Sequence, residues 1–230
     1  MMLSHLIITD QCSWRKNNMK EPIITIVTAC WRWEGVKQIV EDVDNQTFKG
    51  WQHIIVNDNS PHINVDEFKA LCDGKKRHWV DLQTRHGWSG GPARNIGISA
   101  SFSYFRQSHK QDWSNYFIAF FDDDNRFSPD HLQLMIDAIK KNPTATIVGT
   151  SMNFVTSNGS RVKKLVIAPE KCDLGSFIYR RDMFFKYGFW NPRPECRFRF
   201  DYDLIKRMAD GEKDNLIILD EPTWSFTARK

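Results

Sequence analysis

Residues 116–124 read Tyr116-Phe117-Ile118-Ala119-Phe120-Phe121-Asp122-Asp123-Asp124. Six apolar residues run without interruption into three carboxylates. A short apolar run of this kind suits a strand covered on both faces, and such strands belong to parallel sheets. The acids then mark the strand's carboxyl end. Immediately afterwards, Ser128-Pro129-Asp130 reads as an N-cap, a first-turn proline and a first-turn acid. Leu132, Met135, Ile136 and Ile139 follow at helical spacing, and Asn142-Pro143 ends the helix.

The same grammar holds upstream. Ile23–Thr28 is β-branched throughout, and His53–Val56 forms a second buried strand that ends in the turn-rich Asn57-Asp58-Asn59-Ser60-Pro61. Val36, Ile39, Val40 and Val43 place a helix over 34–45, and a short helix follows near 66–71. His78–Gln83 alternates as a strand. Gly90-Gly91-Pro92 opens a helix through Arg94, Ile98 and Phe102. This β-α-β-α-β-α-β-α order predicts an α/β fold with a parallel sheet between helices.

Downstream, Thr146–Val155 and Arg161–Ile167 flank Asn158-Gly159 as a hairpin. Phe177–Tyr179 and Leu216–Leu219 read as strands. Arg181–Tyr187 and the segment after Asp201 read as helices. The second half therefore extends the sheet in mixed fashion. No linker or repeat divides the chain, so residues 1–21 are expected to be an extension and 22–230 a single domain.

Composition limits the function classes. The chain has 230 residues, 41% of them hydrophobic, and a net charge of +4, a globular balance too mildly basic to demand a polyanionic partner. No apolar run approaches the roughly 18 residues of a membrane span. The five cysteines include no Cys-x-x-Cys pair, and residues 1–10 carry no basic leader pattern. These features lead us to expect a soluble, cytoplasmic protein. P-loop and dinucleotide-binding fingerprints, His-Glu-x-x-His and Gly-x-Ser-x-Gly are all missing.

In open α/β sheets, ligands bind beyond the carboxyl ends of the strands. Ala29-Cys30-Trp31, Asp58 and Asp122-Asp123-Asp124 all fall at such ends. If the strand continued through the triplet, Asp122 and Asp124 would share a face and could hold a hard divalent cation. The bland alternative is a solvated acidic turn ahead of a helix.

Five blocks, in order, resemble the family 2 glycosyltransferases of the GT-A fold, inverting enzymes that use nucleotide-sugar donors. They are Ile24–Trp31, Ile54–Ser60, Gly91-Pro92-Ala93-Arg94-Asn95-Ile96-Gly97, Phe120–Asn125 with Ser128-Pro129-Asp130, and Phe200-Asp201-Tyr202-Asp203-Leu204. The resemblance implies a metal-dependent transferase acting from a nucleotide-sugar, most often a UDP-sugar, with Mn²⁺ or Mg²⁺ as cofactor. It places Ala29, Cys30, Trp31, Asp58, Arg94, Asp122 and Asp123 around the donor. Trp31 would stack on the base and Asp58 would accept from it. It assigns Asp124, with Asp122, to the metal and Asp201 to general-base catalysis.

The Arg- and aromatic-rich stretch before Asp201 puts Trp190, Arg197 and Arg199 on the acceptor side. The acceptor would be a glycan hydroxyl, with a nucleic acid as the lesser alternative. Phe200 stands where the family commonly has an acid, and Trp224-Ser225-Phe226 lacks a histidine that many members add to the metal site. A nucleotidyltransferase and a silent nucleotide-sugar-binding domain remain as rival readings.

Overall fold

The computed structural model describes residues 22–106, 115–156, 159–168, 172–191 and 200–227. The expected extension at 1–21, and the acceptor-side residues Arg197 and Arg199, lie outside them. Strands β1 (Ile23–Cys30), β2 (Trp51–Asn57), β3 (Arg77–Asp81) and β4 (Tyr116–Phe120) pair in parallel in the order β3-β2-β1-β4. The connecting helices are α1 (Trp33–Asp44), α2 (Val65–Ala70) and α3 (Gly91–Arg106). The first half is thus the parallel unit that its buried β-branched strands imply.

The sheet then continues as a mixed one. β5 (Asn125–Phe127), β6 (Ile147–Thr156), β7 (Gly159–Lys163), β8 (Phe177–Arg180) and β9 (Leu216–Thr227) complete the order β3-β2-β1-β4-β8-β6-β9-β5, with β7 hairpinned onto β6. Helices α4 (His131–Lys141), α5 (Met183–Tyr187) and α6 (Phe200–Gly211) cover it. One core lies under α1 and α4, including Ile24, Ile39, Phe121 and Met135. Another holds Phe120, Phe177, Leu204 and Met208. The result is the single α/β domain with helices on both faces that was expected.

The start of α4 departs from the expectation. Ser128 is not its N-cap. The helix begins at His131, and its flanking Asp130 makes no side-chain cap. Gln46, just past α1, supplies the acceptor instead: its Oε1 takes the Leu132 N–H at 3.0 Å, while its amide donates to the Ser128 and Asp42 carbonyls. An orphan helix N–H is satisfied from another element, which no local motif can announce. Ser128 Oγ donates to Asp130 and to the Thr223 carbonyl.

Helix α1 also fixes the acidic turn after β4. A Cβ at Gly35 would lie 2.0 Å from the Asp123 carbonyl oxygen, so the helix can approach the turn only with glycine there. Gly35→Ala should therefore cost about 3 kcal/mol, or roughly 6–12 °C in Tm for a chain of this size, on thermal unfolding. An unchanged Tm would show that the turn can withdraw without loss.

A candidate active site at the strand tips

The tips of β1, β2 and β4 face a single cleft of about 420 Å³, walled by Trp31, Asp58, Arg94, Asp122, Asp124, Asp173 and Asp201 among others. Its floor is braced by hydrogen bonds between neighbouring tips. Ser60 Oγ donates to the Trp31 carbonyl at 2.6 Å, and Asn57 Nδ2 to Asp81 at 2.8 Å.

The three acids of the triplet do not share a face. The strand ends at Phe120, and the Asn125 N–H donates to the Asp122 carbonyl at 3.1 Å, closing a tight turn. Each carboxylate consequently finds a different partner. Asp122 accepts from Arg94 Nε at 3.1 Å and pairs with Nη2 at 2.5 Å, both on the same oxygen. Asp123 accepts the N–H groups of Trp31 and Arg32, each at 2.8 Å, and pairs with the Arg32 guanidinium. It therefore acts as a bracket that holds the tip of β1. Asp124 meets Arg32 at 3.4 Å and is the most exposed of the three, its side chain 29% exposed against 14% for Asp122 and 7% for Asp123. Two near-buried, paired acids are not a solvated turn.

Arg94 is the hub. Besides Asp122, it donates Nη1 to the Ser89 carbonyl at 2.7 Å, and its guanidinium lies 4.8 Å from the centre of the Trp190 ring. This revises the role of Trp190. The ring is 3% exposed and packs edge-on against Phe120. Its backbone N–H and carbonyl are both bonded to the Asn95 amide. Trp190 supports Arg94 from behind and does not face an acceptor.

The loop ahead of α3 forms another wall. Both oxygens of Asp58 accept backbone N–H groups, from His86 at 2.8 Å and Gly87 at 2.7 Å. Four successive residues, Gly87, Trp88, Ser89 and Gly90, then take positive φ between 50° and 79°. Asp58 thus anchors a loop that two non-glycine residues hold in a costly conformation. Trp31 stands at the rim with the Arg85 guanidinium 4.0 Å over its ring. Ala29 and Cys30 reach the wall, but the Cys30 thiol donates to the Val56 carbonyl.

Asp201 lies in the first turn of α6 and opens onto the cleft. Asp173, which the sequence reading did not single out, stands beside it. A short turn at 174–176 holds both acids: its Leu174 N–H is bonded to Asp201, and its Gly175 N–H to Asp173 at 2.9 Å. Burial raises the pKa of Asp201 to about 6, with Arg94 opposing the shift and Asp122 adding to it. Burial, then the neighbouring Asp201 and Asp122, raises Asp173 to about 8. Only its own Asp-x-Gly turn chemistry marks Asp173 in sequence, and that signal is too common to have found it.

Among the described residues, no three His, Cys, Asp or Glu side chains form a ready-made metal cage. The donors present still fit a hard divalent ion, because Mg²⁺-type sites commonly use one or two carboxylates and complete their shell with substrate phosphates and water.

Comparison with known proteins agrees with this geometry. The cleft-bearing region, residues 24–212, matches the family described as Glycosyl transferase family 2. An uncharacterized glycosyltransferase of Rickettsia bellii (strain RML369-C) is 32% identical over 107 residues, which is 46% of this chain and 13% of that protein. Similar folds include S. aureus TarS 1–349 in complex with UDP-GlcNAc (TM-score 0.64, 14% identity, 90% of this chain and 59% of that one). They also include the mannosyltransferase PcManGT from Pyrobaculum calidifontis in complex with GDP-Man and Mn²⁺ (TM-score 0.61, 11% identity, 91% and 57%). The chain spans 60% of the TarS 1–349 chain solved alone and 37% of a longer TarS chain. It shares their GT-A architecture. On the match across most of its length, the chain belongs to glycosyl transferase family 2.

Proposed function

We propose that the protein transfers a sugar from a nucleotide-sugar to an acceptor hydroxyl by direct displacement, with inversion at the anomeric carbon. The observation that carries this reading is the convergence of Asp58, Asp122, Asp124 and Asp201 on one cleft around the buried cation Arg94. The base and ribose would lie between Trp31 and Asp58, and the diphosphate would run toward Arg94, Arg32 and Asp124. Titles of fold relatives name UDP-GlcNAc and GDP-Man, which supports a nucleotide-sugar here and leaves the base open.

Asp201 acts as the general base. With its pKa near 6, its carboxylate is ionised at neutral pH and basic enough to take the acceptor proton. The acceptor oxygen forms its bond to the anomeric carbon as the bond to the diphosphate oxygen breaks. Arg94 and Arg32 face the charge that develops on the leaving diphosphate. Asp124 would hold Mn²⁺ or Mg²⁺, which when bound supplies Lewis-acid neutralisation of that diphosphate.

A thermal-shift panel of UDP, UDP-GlcNAc and GDP-Man, with and without Mn²⁺, tests the donor half. At least one of them should stabilise the protein in the presence of Mn²⁺, and Asp124→Asn should weaken that binding by about tenfold or more. Silence across the panel, or pyrophosphate in place of nucleoside diphosphate among turnover products, would overturn the proposal.

A further inference from the structure

One wall of the cleft is unlike the rest. Phe226, near the end of β9, lines it opposite the acids. Strand register carries that wall outward, because residues paired across neighbouring strands share a face of the sheet. Asn125, next to Asp124, pairs with Phe226; Phe226 pairs with Phe154; and Phe154 pairs with Arg161. The adjacent rung runs Phe127, Trp224, Met152 and Lys163. In that rung the first three are core residues, while Phe154 and Phe226 are only partly buried at its edge.

The outer rung therefore forms a floor of two stacked phenyl rings, 5.8 Å apart and 20° from parallel. Its far end is cationic. The Arg161 guanidinium lies 5.5 Å and the Lys163 ammonium 5.9 Å from the Phe154 ring centre. Among the described residues, neither forms an ion pair. The neighbouring Lys164 differs, being matched by Asp220 at 3.3 Å. Three strand steps of about 4.8 Å separate Asn125 from Arg161, or roughly 14 Å. The track thus begins beside the cleft's carboxylates and ends at two unmatched cations, the reverse of the charge inside.

We infer that this ladder is the acceptor track, and that the acceptor is an oligosaccharide carrying an anionic group, phosphate or carboxylate, at a distance from the hydroxyl that reacts. The inference rests on the glycosyltransferase reading above and adds to it the chemical class of acceptor. The phenyl floor offers an apolar surface to sugar rings. Arg161 supplies the planar fork that phosphate and carboxylate both match, and Lys163 supplies a second charge. A nucleic acid is the poorer occupant. Single-strand binding sites use a basic groove along the whole backbone with aromatic rings free to take bases. Here the two rings stack on each other, and the cations stand at one end.

The test uses fluorescein-labelled mannopentaose 6-phosphate, the same oligosaccharide after phosphatase treatment, and a labelled eight-nucleotide single-stranded RNA. Binding is read by fluorescence anisotropy at low salt. The phosphorylated sugar should bind about tenfold more tightly than the neutral one, and the double variant Arg161→Ser/Lys163→Ser should lose that difference. The variant's Tm and its affinity for UDP with Mn²⁺ should match wild type, since both side chains lie on a sheet edge away from the donor. Equal binding of the two sugars by wild type, an undiminished difference in the variant, or tighter binding of the RNA would each overturn the inference. Failure of UDP to bind wild type would instead count against the donor site, so the two readings fail separately.

Discussion

Asp201→Asn should reduce turnover of the donor, measured as nucleoside diphosphate released in the presence of a hydroxyl acceptor, by about 10²–10⁴-fold. The amide keeps the size of the side chain and can still meet the Leu174 N–H through its oxygen, but it cannot take a proton. Donor affinity should stay within about threefold of wild type, so the loss falls on kcat. The wild-type pH profile should show the same group. A base must be deprotonated to act, and burial holds Asp201 near 6, so kcat should fall tenfold per unit below about pH 6. Asp173 complicates the alkaline side. It keeps its proton until about pH 8, and the two acids titrate as a pair with apparent steps that belong to both. Asp173→Asn removes one partner's charge and should move the acid limb of the profile downward. Turnover by Asp201→Asn within a few-fold of wild type would remove it from the role of base. An acid limb unmoved in Asp173→Asn would uncouple the two acids.

Much of the architecture was legible because burial writes itself plainly into a parallel strand. Ile23–Thr28, His53–Val56 and Tyr116–Phe121 are apolar on both faces, and the helices between them repeat at helical spacing. β5 was not legible. Three residues are too few to show a period, and Asn125-Arg126-Phe127 becomes a strand only because β9 extends past Leu219 to pair with it. That extension also creates the aromatic ladder, which therefore had no sequence signal.

The site was legible in position and less so in detail. The strand tips do converge as their order requires. The triplet's division of labour depends on a turn at Asp122–Asn125 and on partners from two other elements, Arg32 and Arg94. Trp190 looked like an acceptor contact because aromatic residues among arginines suggest recognition. Asn95 instead ties its backbone into the core beneath Arg94. Asp173 was missed because its meaning comes from Asp201, brought beside it by folding.

Arg94→Met carries the largest expected cost to the fold. The side chain is 6% exposed and sits among Asp122, Asp201 and Asp173, each of which holds it charged. Methionine fills similar space with no charge, so three buried carboxylates lose their shared cation, a change worth about 3–5 kcal/mol. The pH dependence follows from the directions of the shifts. Asp173 and Asp201 titrate near 8 and 6 when folded but near 3.9 when unfolded. Their contribution is fully present below the unfolded value and is lost as pH rises through about 6 and then about 8. Removing Arg94 raises both further, so the deficit of the variant should grow between pH 6.5 and pH 8.5. Lower pH is unsuitable for the comparison, because buried His131 and His53 have lowered pKa values and destabilise the fold as pH drops below about 6.5. Urea denaturation of the ligand-free protein at pH 6.5, 7.5 and 8.5 gives the measurement. Adding Asp173→Asn to Arg94→Met should recover part of the loss, most at pH 8.5, because one buried charge no longer has to form. A deficit independent of pH and unrelieved by Asp173→Asn would mean that Arg94 stabilises the fold by packing on Trp190 and not by neutralising the acids.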